Sequence, residues 1–167
     1  MQYRNDKTGF PVSILGYGCM RFTKKGTGID LDKAEREILR AIELGVNYFD
    51  PAYIYPGSEA ALGEILARNH CRDKVRIASK LPQYLVRSGT DLERYFSEQL
   101  RRLKTDHIDL YQMHHIDRLT PWEEIWQAME VLVRQGKVLY IGSSNFAGWD
   151  IATAQAEARS RRFMGLV

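Results

Sequence analysis

Four residues with side chains suited to proton transfer occur at or near the ends of short apolar segments. Asp50 and Tyr55 follow one such segment, Lys80 a second and His114 a third. A phenol with an ordinary pKa of about 10 is too weak an acid near neutral pH unless its anion is stabilised. One ammonium about 4 Å away would contribute on the order of 4 kcal/mol, or at most roughly three pKa units. A carboxylate beside Lys80 would keep the ammonium charged, and His114 could orient a carbonyl oxygen by hydrogen bonding.

These apolar segments are predicted to be strands that alternate with helices. The predicted strands are Ile14 to Gly18, Val46 to Phe49, Val75 to Ser79, Ile108 to Met113, Val138 to Gly142 and Phe163 to Val167. Their spacing of roughly 25 to 33 residues is that of a βαβ unit, which predicts an α/β fold with a parallel sheet. Such units fit either an open doubly wound sheet or a (β/α)8 barrel. The G-x-G-x-x-G fingerprint of a dinucleotide-binding open sheet is absent after the first strand, where the motif stops at G-x-G.

Two of the intervening segments have a clear helical period. Apolar residues recur at helical spacing from Leu92 to Leu103 and from Trp122 to Val133, which predicts helices with one buried face. The predicted start and stop signals are the pairs Thr90 with Glu93 and Thr120 with Glu123, Pro121 at a first helical position, and Gly45 and Gly136 as left-handed caps.

The predicted strand ends place polar groups in one region under either architecture. Reactive groups gather at the carboxyl ends of parallel strands, because the loops that follow them converge on one face. Ser144 and Asn145 follow the fifth predicted strand and join the residues named above. Strand alternation does not choose between His114 and His115. We take His114, which directly follows the Tyr-Gln-Met run.

Composition excludes several other classes of function. The 24 Lys and Arg residues against 21 Asp and Glu are spread evenly, so there is no basic stripe for nucleic acid or anionic lipid. Cys19 and Cys71 are too few for a disulfide scaffold and lack zinc-ligand spacing, which indicates a reducing compartment. The polar start and the lack of any apolar run of about 18 residues predict neither a signal peptide nor a membrane span. We therefore expect a cytoplasmic protein with one domain over residues 1–167.

Five short motifs in this order resemble the aldo-keto reductase family. They are Leu15-Gly16-x-Gly18, Phe49-Asp50-x-Ala52-x-x-Tyr55, Ser79-Lys80, the run from Asp109 to His114, and Gly142-Ser143-Ser144-Asn145-Phe146. Residues 105–167 are similar to reductases related to the potassium-channel beta subunits. Pro51 departs from the family pattern, because a threonine commonly follows the aspartate.

The resemblance implies a (β/α)8 barrel that reduces aldehydes and ketones with NADPH, without a metal. By resemblance, Tyr55 is the general acid, Lys80 and Asp50 lower its pKa, and His114 orients the substrate carbonyl. The resemblance further implies a cofactor site formed by Ser144 and Asn145 at the nicotinamide carboxamide, the backbone of Cys19 and Met20, and Asp50.

The chain is shorter than a complete barrel, and two other functions fit the same residues. A full barrel has around 250 residues, so 167 residues are expected to hold about the first five to six βα units of a truncated barrel. An unclosed barrel exposes strand edges, which favours self-association. One alternative is a non-catalytic subunit that senses NADP(H), like the channel beta subunits. Another is a barrel enzyme in which Lys80 forms a Schiff base while Asp50 and Tyr55 adjust its pKa.

Overall fold

The structure is a computed structural model that describes residues 1–115 and 122–167, with only the backbone described for 122–124. The chain divides into two compact units. The first comprises Met1–Ala78 and Arg101–Thr105, and the second comprises Ser79–Leu100 and Asp106–Val167. The single domain expected from the sequence stays a prediction. The described residues contain no helix that is both long enough and apolar enough to span a membrane.

The elements alternate between strands and helices after an N-terminal hairpin. In chain order they are β1 (Tyr3–Asn5), β2 (Pro11–Ser13), β3 (Tyr17–Gly18), β4 (Lys24–Lys25), β5 (Gly28–Ile29), α1 (Leu31–Glu43), β6 (Tyr48–Asp50), α2 (Ser58–Arg68), β7 (Arg76–Leu81), α3 (Gly89–Leu103), β8 (Ile108–Met113), α4 (Trp122–Arg134), β9 (Val138–Ser143) and α5 (Gly148–Ser160). Single 3₁₀ turns occur at Cys19–Arg21, Arg72–Lys74 and Gln83–Leu85.

The first unit is built on parallel strands covered by helices. β3 pairs with β6 so that Gly18 lies opposite Asp50, and β6 pairs with β7 so that Phe49 lies opposite Ile77. Fully buried side chains of this unit include Ile38 on α1, Phe49, Leu62 and Ile65 on α2, and Ile77. Burial of these apolar groups is the main stabilising contribution, at about 25 cal/mol per Å². The predicted α/β alternation with parallel strands is confirmed.

Two antiparallel hairpins of this unit were not predicted. In the first, β1 pairs with β2, and the Asp6 carboxylate accepts hydrogen bonds from the backbone N–H groups of Thr8 at 2.8 Å and Phe10 at 3.0 Å. In the second, β4 pairs with β5. Their strands have only two or three residues, too few for the alternation of polar and apolar residues to be recognised.

The second unit pairs β8 with β9 in parallel, from Ile108 opposite Val138 to Met113 opposite Ser143. Tyr111 packs edge-on against Phe96 of α3, with ring centroids 5.1 Å apart, and Trp126 of α4 is fully buried. Parallel pairing in register brings the ends of β8 and β9 level, so the residues that follow them are neighbours.

Several predicted boundaries differ from the structure. The first predicted strand is reduced to β3, because Ile14 and Leu15 are exposed. The sixth is a single parallel bridge between Ile141 and Leu166. Lys80 lies inside β7, which continues to Leu81.

The helix-end predictions had mixed outcomes. Gly45 and Gly136 adopt φ angles of 89° and 70°, which confirms both as left-handed caps. At the start of α3 the capping pair is Ser88 and Asp91 rather than Thr90 and Glu93, since the Ser88 hydroxyl accepts from the Asp91 N–H at 3.3 Å. The start signal predicted from Thr120 and Pro121 lies outside the described residues.

Candidate functional site

In the first unit, Asp50 and Tyr55 lie on the turn between β6 and α2. Asp50 is the last residue of β6, and the Tyr55 N–H donates to the Ala52 carbonyl at 3.1 Å. The Ser58 N–H donates to the Tyr55 carbonyl at 3.0 Å as α2 begins. The phenol of Tyr55 is thus carried by a short hydrogen-bonded turn, and both candidate side chains are half-buried.

The electrostatics of this turn differ from the expectation for Asp50. Burial raises the pKa of Tyr55 above its ordinary value, and the carboxylate of Asp50 raises it further. A negative charge disfavours the phenolate, so the direct effect of Asp50 is opposite to the lowering that we expected. Any lowering of the Tyr55 pKa must therefore come from another group, such as a cation or a hydrogen-bond donor to the phenolate.

Cys19 and Met20 lie beside the same turn. They form the 3₁₀ turn that follows β3, whose Gly18 pairs with Asp50. The Cys19 side chain is buried, and its carbonyl accepts a hydrogen bond from the Ser58 hydroxyl at 2.9 Å. Met20 is exposed. Their predicted role along the cofactor stays a prediction.

Arg102, which was not predicted from the sequence, stabilises the segment that carries Tyr55. Its guanidinium lies 4.2 Å from the centroid of the Tyr53 ring, and its Nη1 donates to the Tyr53 carbonyl at 3.4 Å. The same nitrogen lies 3.3 Å from Oε2 of Glu59, which is buried. Gly63 permits the approach, since a Cβ there would lie 2.4 Å from the Arg102 carbonyl oxygen. In the sequence, Arg102 is indistinguishable from the exposed basic residues usual in the last turn of a helix.

In the second unit, Lys80 and His114 lie near each other. Lys80 is 3% exposed on β7, and the charge of Lys80 acts on the imidazole of His114. The His114 N–H donates to the side-chain oxygen of Gln83 at 2.9 Å. This bond, together with a longer one to the carbonyl of Leu81 at 3.4 Å, anchors the residue that follows β8.

The imidazole of His114 is held in its neutral form. Burial lowers the pKa of His114 to about 4, with smaller contributions from His115 and from Lys80. His114 is 4% exposed, whereas His115 is exposed and stacks on it with ring centroids 4.6 Å apart. The inward position predicted for His114 agrees with this burial. A neutral imidazole can donate one hydrogen bond and accept another, as orienting a carbonyl requires.

Ser144 and Asn145 continue β9 beside the end of β8. The Ser144 N–H donates to the Met113 carbonyl at 2.8 Å, and Nδ2 of Asn145 donates to the His114 carbonyl at 2.9 Å. Asn145 has a φ of 57°, a left-handed conformation that asparagine tolerates better than most residues. A hydroxyl and an exposed amide at this edge match the donors and acceptor of a carboxamide in chemical type.

The structure therefore places the predicted residues in two groups. Asp50, Tyr55, Cys19 and Met20 lie together in the first unit, and Lys80, His114, Ser144 and Asn145 lie together in the second. Among residues 1–115 and 122–167, no cluster of three or more His, Cys, Asp or Glu residues could hold a metal ion.

Comparison with known proteins gives consistent matches over nearly the whole chain. The model of the aldo/keto reductase family matches residues 14–164. "Uncharacterized oxidoreductase YrpG" of Bacillus subtilis is 45% identical over 181 aligned residues, which cover 96% of this chain and 54% of that protein. An "Aldo-keto reductase" of Gibberella moniliformis is 33% identical over 157 residues, covering 89% of this chain and 48% of its own. The chain spans about half the length of these curated relatives.

Proposed function

The chain belongs to the aldo/keto reductase family, and on this premise we propose that it carries the proton-donating part of a reductase that acts on an aldehyde or ketone with NADPH. The family is a (β/α)8 barrel, so the predicted fold class is confirmed. Membership also supports an oxidoreductase reaction in general terms. The preference for NADPH, the carbonyl substrate and the roles of individual residues belong to the proposal.

In the proposed reaction, the bound cofactor supplies a hydride to the carbonyl carbon. Tyr55 gives its proton to the carbonyl oxygen, so the charge that develops on oxygen is neutralised as it appears. Lys80 stabilises the resulting phenolate, and Asp50 keeps Lys80 charged. His114 orients the carbonyl through a neutral imidazole.

Ser144 and Asn145 are proposed to hold the nicotinamide carboxamide. Their support is chemical, since an amide and a hydroxyl can pair with both the N–H and the C=O of a carboxamide. Cys19, Met20 and Asp50 are proposed to line the rest of this part of the cofactor site.

The low pKa of His114 favours Tyr55 over His114 as the proton donor. At a pKa of about 4, only roughly one His114 in a thousand bears the second proton at neutral pH. Tyr55, with a pKa above its ordinary value, is protonated at the same pH. Of these two groups, only Tyr55 is therefore loaded with a transferable proton.

The test is NADPH oxidation with a nitrobenzaldehyde, using the full product of the reading frame that encodes this chain. Tyr55→Phe should lower kcat by at least about 100-fold, the usual contribution of general acid catalysis, while binding NADPH as the unchanged protein does. Tyr3→Phe is the matched control, because it removes an exposed hydroxyl in the N-terminal region that bonds to the Gly45 carbonyl. Comparing NADPH with NADH tests the cofactor preference.

Different results in these assays would refute the proposed acid or favour one of the two alternative functions. Turnover unaffected by Tyr55→Phe would refute the proposed acid. Tight NADPH binding without turnover by the unchanged protein would identify a cofactor-sensing subunit. A substrate adduct trapped on Lys80 by borohydride would identify a Schiff-base enzyme.

A further inference from the structure

The fully buried side-chain amide of Gln99 connects α3 to two strands. One is β7, which carries Lys80, and the other is β8, which is followed by His114. Nε2 of Gln99 donates to the Ser79 hydroxyl at 3.0 Å and to the Lys80 carbonyl at 3.2 Å. Oε1 of Gln99 accepts from the Tyr111 hydroxyl at 2.6 Å. All four residues are buried, and Gln99, Ser79 and Tyr111 are inaccessible to solvent.

The hydrogen bonds of Gln99 are not needed merely to fill space in the core. Burying an amide is unfavourable unless its donors and acceptor are satisfied, and the three bonds of Gln99 satisfy both ends of its side chain. A leucine or methionine would fill a similar volume without that requirement. The bonds also reach two neighbouring strands from one helix, so Gln99 adds a side-chain link between α3, the Lys80 backbone and Tyr111 to the pairing of β7 with β8.

We infer that Gln99 is a positioning residue that fixes Lys80 of β7 for its part in carbonyl reduction. The inference rests on the proposed function, in which the Lys80 ammonium acts on Tyr55. The attraction between an ammonium and a phenolate falls with distance and with the entry of water. A change in where the Lys80 backbone is held moves the ammonium on its four-carbon chain. Gln99 thus acts through Lys80 and needs no contact with the substrate.

The test compares Gln99→Met with Leu92→Val. Gln99→Met keeps the length of the side chain and removes all three hydrogen bonds. Leu92 is buried on the same helix and makes no side-chain hydrogen bond, so Leu92→Val perturbs the packing of α3 without removing a polar contact. Thermal unfolding confirms that both variants are folded. If Gln99→Met does not fold, Gln99→Asn replaces it, because its shorter amide cannot reach both Lys80 and Tyr111.

Two measurements are made on each variant. In steady-state reduction, we expect Gln99→Met to lower kcat at least about tenfold with KM for NADPH within about twofold. The alkaline limb of its pH profile should move to higher pH, because the acid loses the help of the ammonium. In reductive methylation followed by mass spectrometry, Lys80 should react several times faster than in the unchanged protein, with exposed Lys25 as internal reference. Leu92→Val should show neither change.

The outcomes separate this inference from the proposed function. Unaltered methylation of Lys80 in Gln99→Met would overturn the inference, as would equal changes in Leu92→Val. If Tyr55→Phe retains full turnover, the proposed reaction fails, and the methylation rate alone then shows whether Gln99 holds Lys80. If Tyr55→Phe abolishes turnover while Gln99→Met keeps its kcat and pH profile, the reaction stands and Gln99 has no positioning role.

Discussion

Protonation of His114 should destabilise the folded chain at mildly acidic pH. The pKa of His114 is about 4 in the fold, against about 6.5 for an exposed histidine. Between these values the unfolded chain binds the proton and the folded chain does not, so the free energy of unfolding falls as the pH falls. The contribution of this one group is about 2 kcal/mol at pH 5 and approaches roughly 3 kcal/mol below pH 4. Above pH 6.5 it disappears.

The assay is urea unfolding of the chain and of His114→Gln near neutrality and near pH 5. Other titrating groups are common to both proteins, so the change in their stability difference isolates His114. We expect the unchanged chain to lose about 2 kcal/mol more than His114→Gln between the two conditions. A stability difference that does not vary with pH would refute the reasoning.

A second measurement tests the cause of the shift. Besides burial, the charges of His115 and Lys80 lower the His114 pKa. His115→Gln should therefore raise the His114 pKa in an NMR titration, although burial keeps it below 6.5. A His114 pKa of 6.5 in the unchanged chain would show that the imidazole is more hydrated than its burial implies.

The remaining predictions concern stability. Arg102→Met leaves the buried Glu59 without this cation and should lower the free energy of unfolding by about 2 to 4 kcal/mol; adding Glu59→Gln should recover part of the loss in a double-mutant cycle. Gly136→Ala introduces a Cβ at positive φ that meets no atom of the described residues within 4 Å apart from its chain neighbours, and it should cost roughly 1 to 2 kcal/mol. Gly45→Ala meets the Tyr3 hydroxyl at 2.4 Å as well and should cost more. Equal melting temperatures for the two alanine variants would contradict the added cost that we expect from the contact of the new Cβ at position 45 with Tyr3.

The repeating part of the fold could be predicted, because burial on both faces of parallel strands leaves continuous apolar runs. Ile108–Met113 was predicted to the residue. Short hairpins could not be predicted in this way, since β1 and β2 have three residues each and their turn is held by local bonds such as those from Thr8 and Phe10 to the Asp6 carboxylate. The start of α3 was assigned two residues late, because Thr90 and Glu93 have the same capping spacing as Ser88 and Asp91.

The candidate site was predictable to the extent that its residues adjoin strand ends. Position near a strand end drew attention to Lys80 and to the pair His114 and His115, but it did not choose between the two histidines. Gln99 and Arg102 could not be found, because a polar residue on a helix gives no sign of being buried until the facing strands are known. The direction in which the Tyr55 pKa is shifted could not be predicted from the sequence either, since it depends on burial and on the distance from Asp50.

Asp50 and Lys80 must act on Tyr55 in opposite senses if the proposed reaction is correct. A general acid must hold its proton before the reaction and release it during the reaction. Burial and Asp50 favour the first requirement, since both raise the pKa of Tyr55. A cation can serve the second, and His114 is neutral. Because Lys80 alone among the proposed catalytic residues can supply that cation, the residues that fix its position bear directly on the rate.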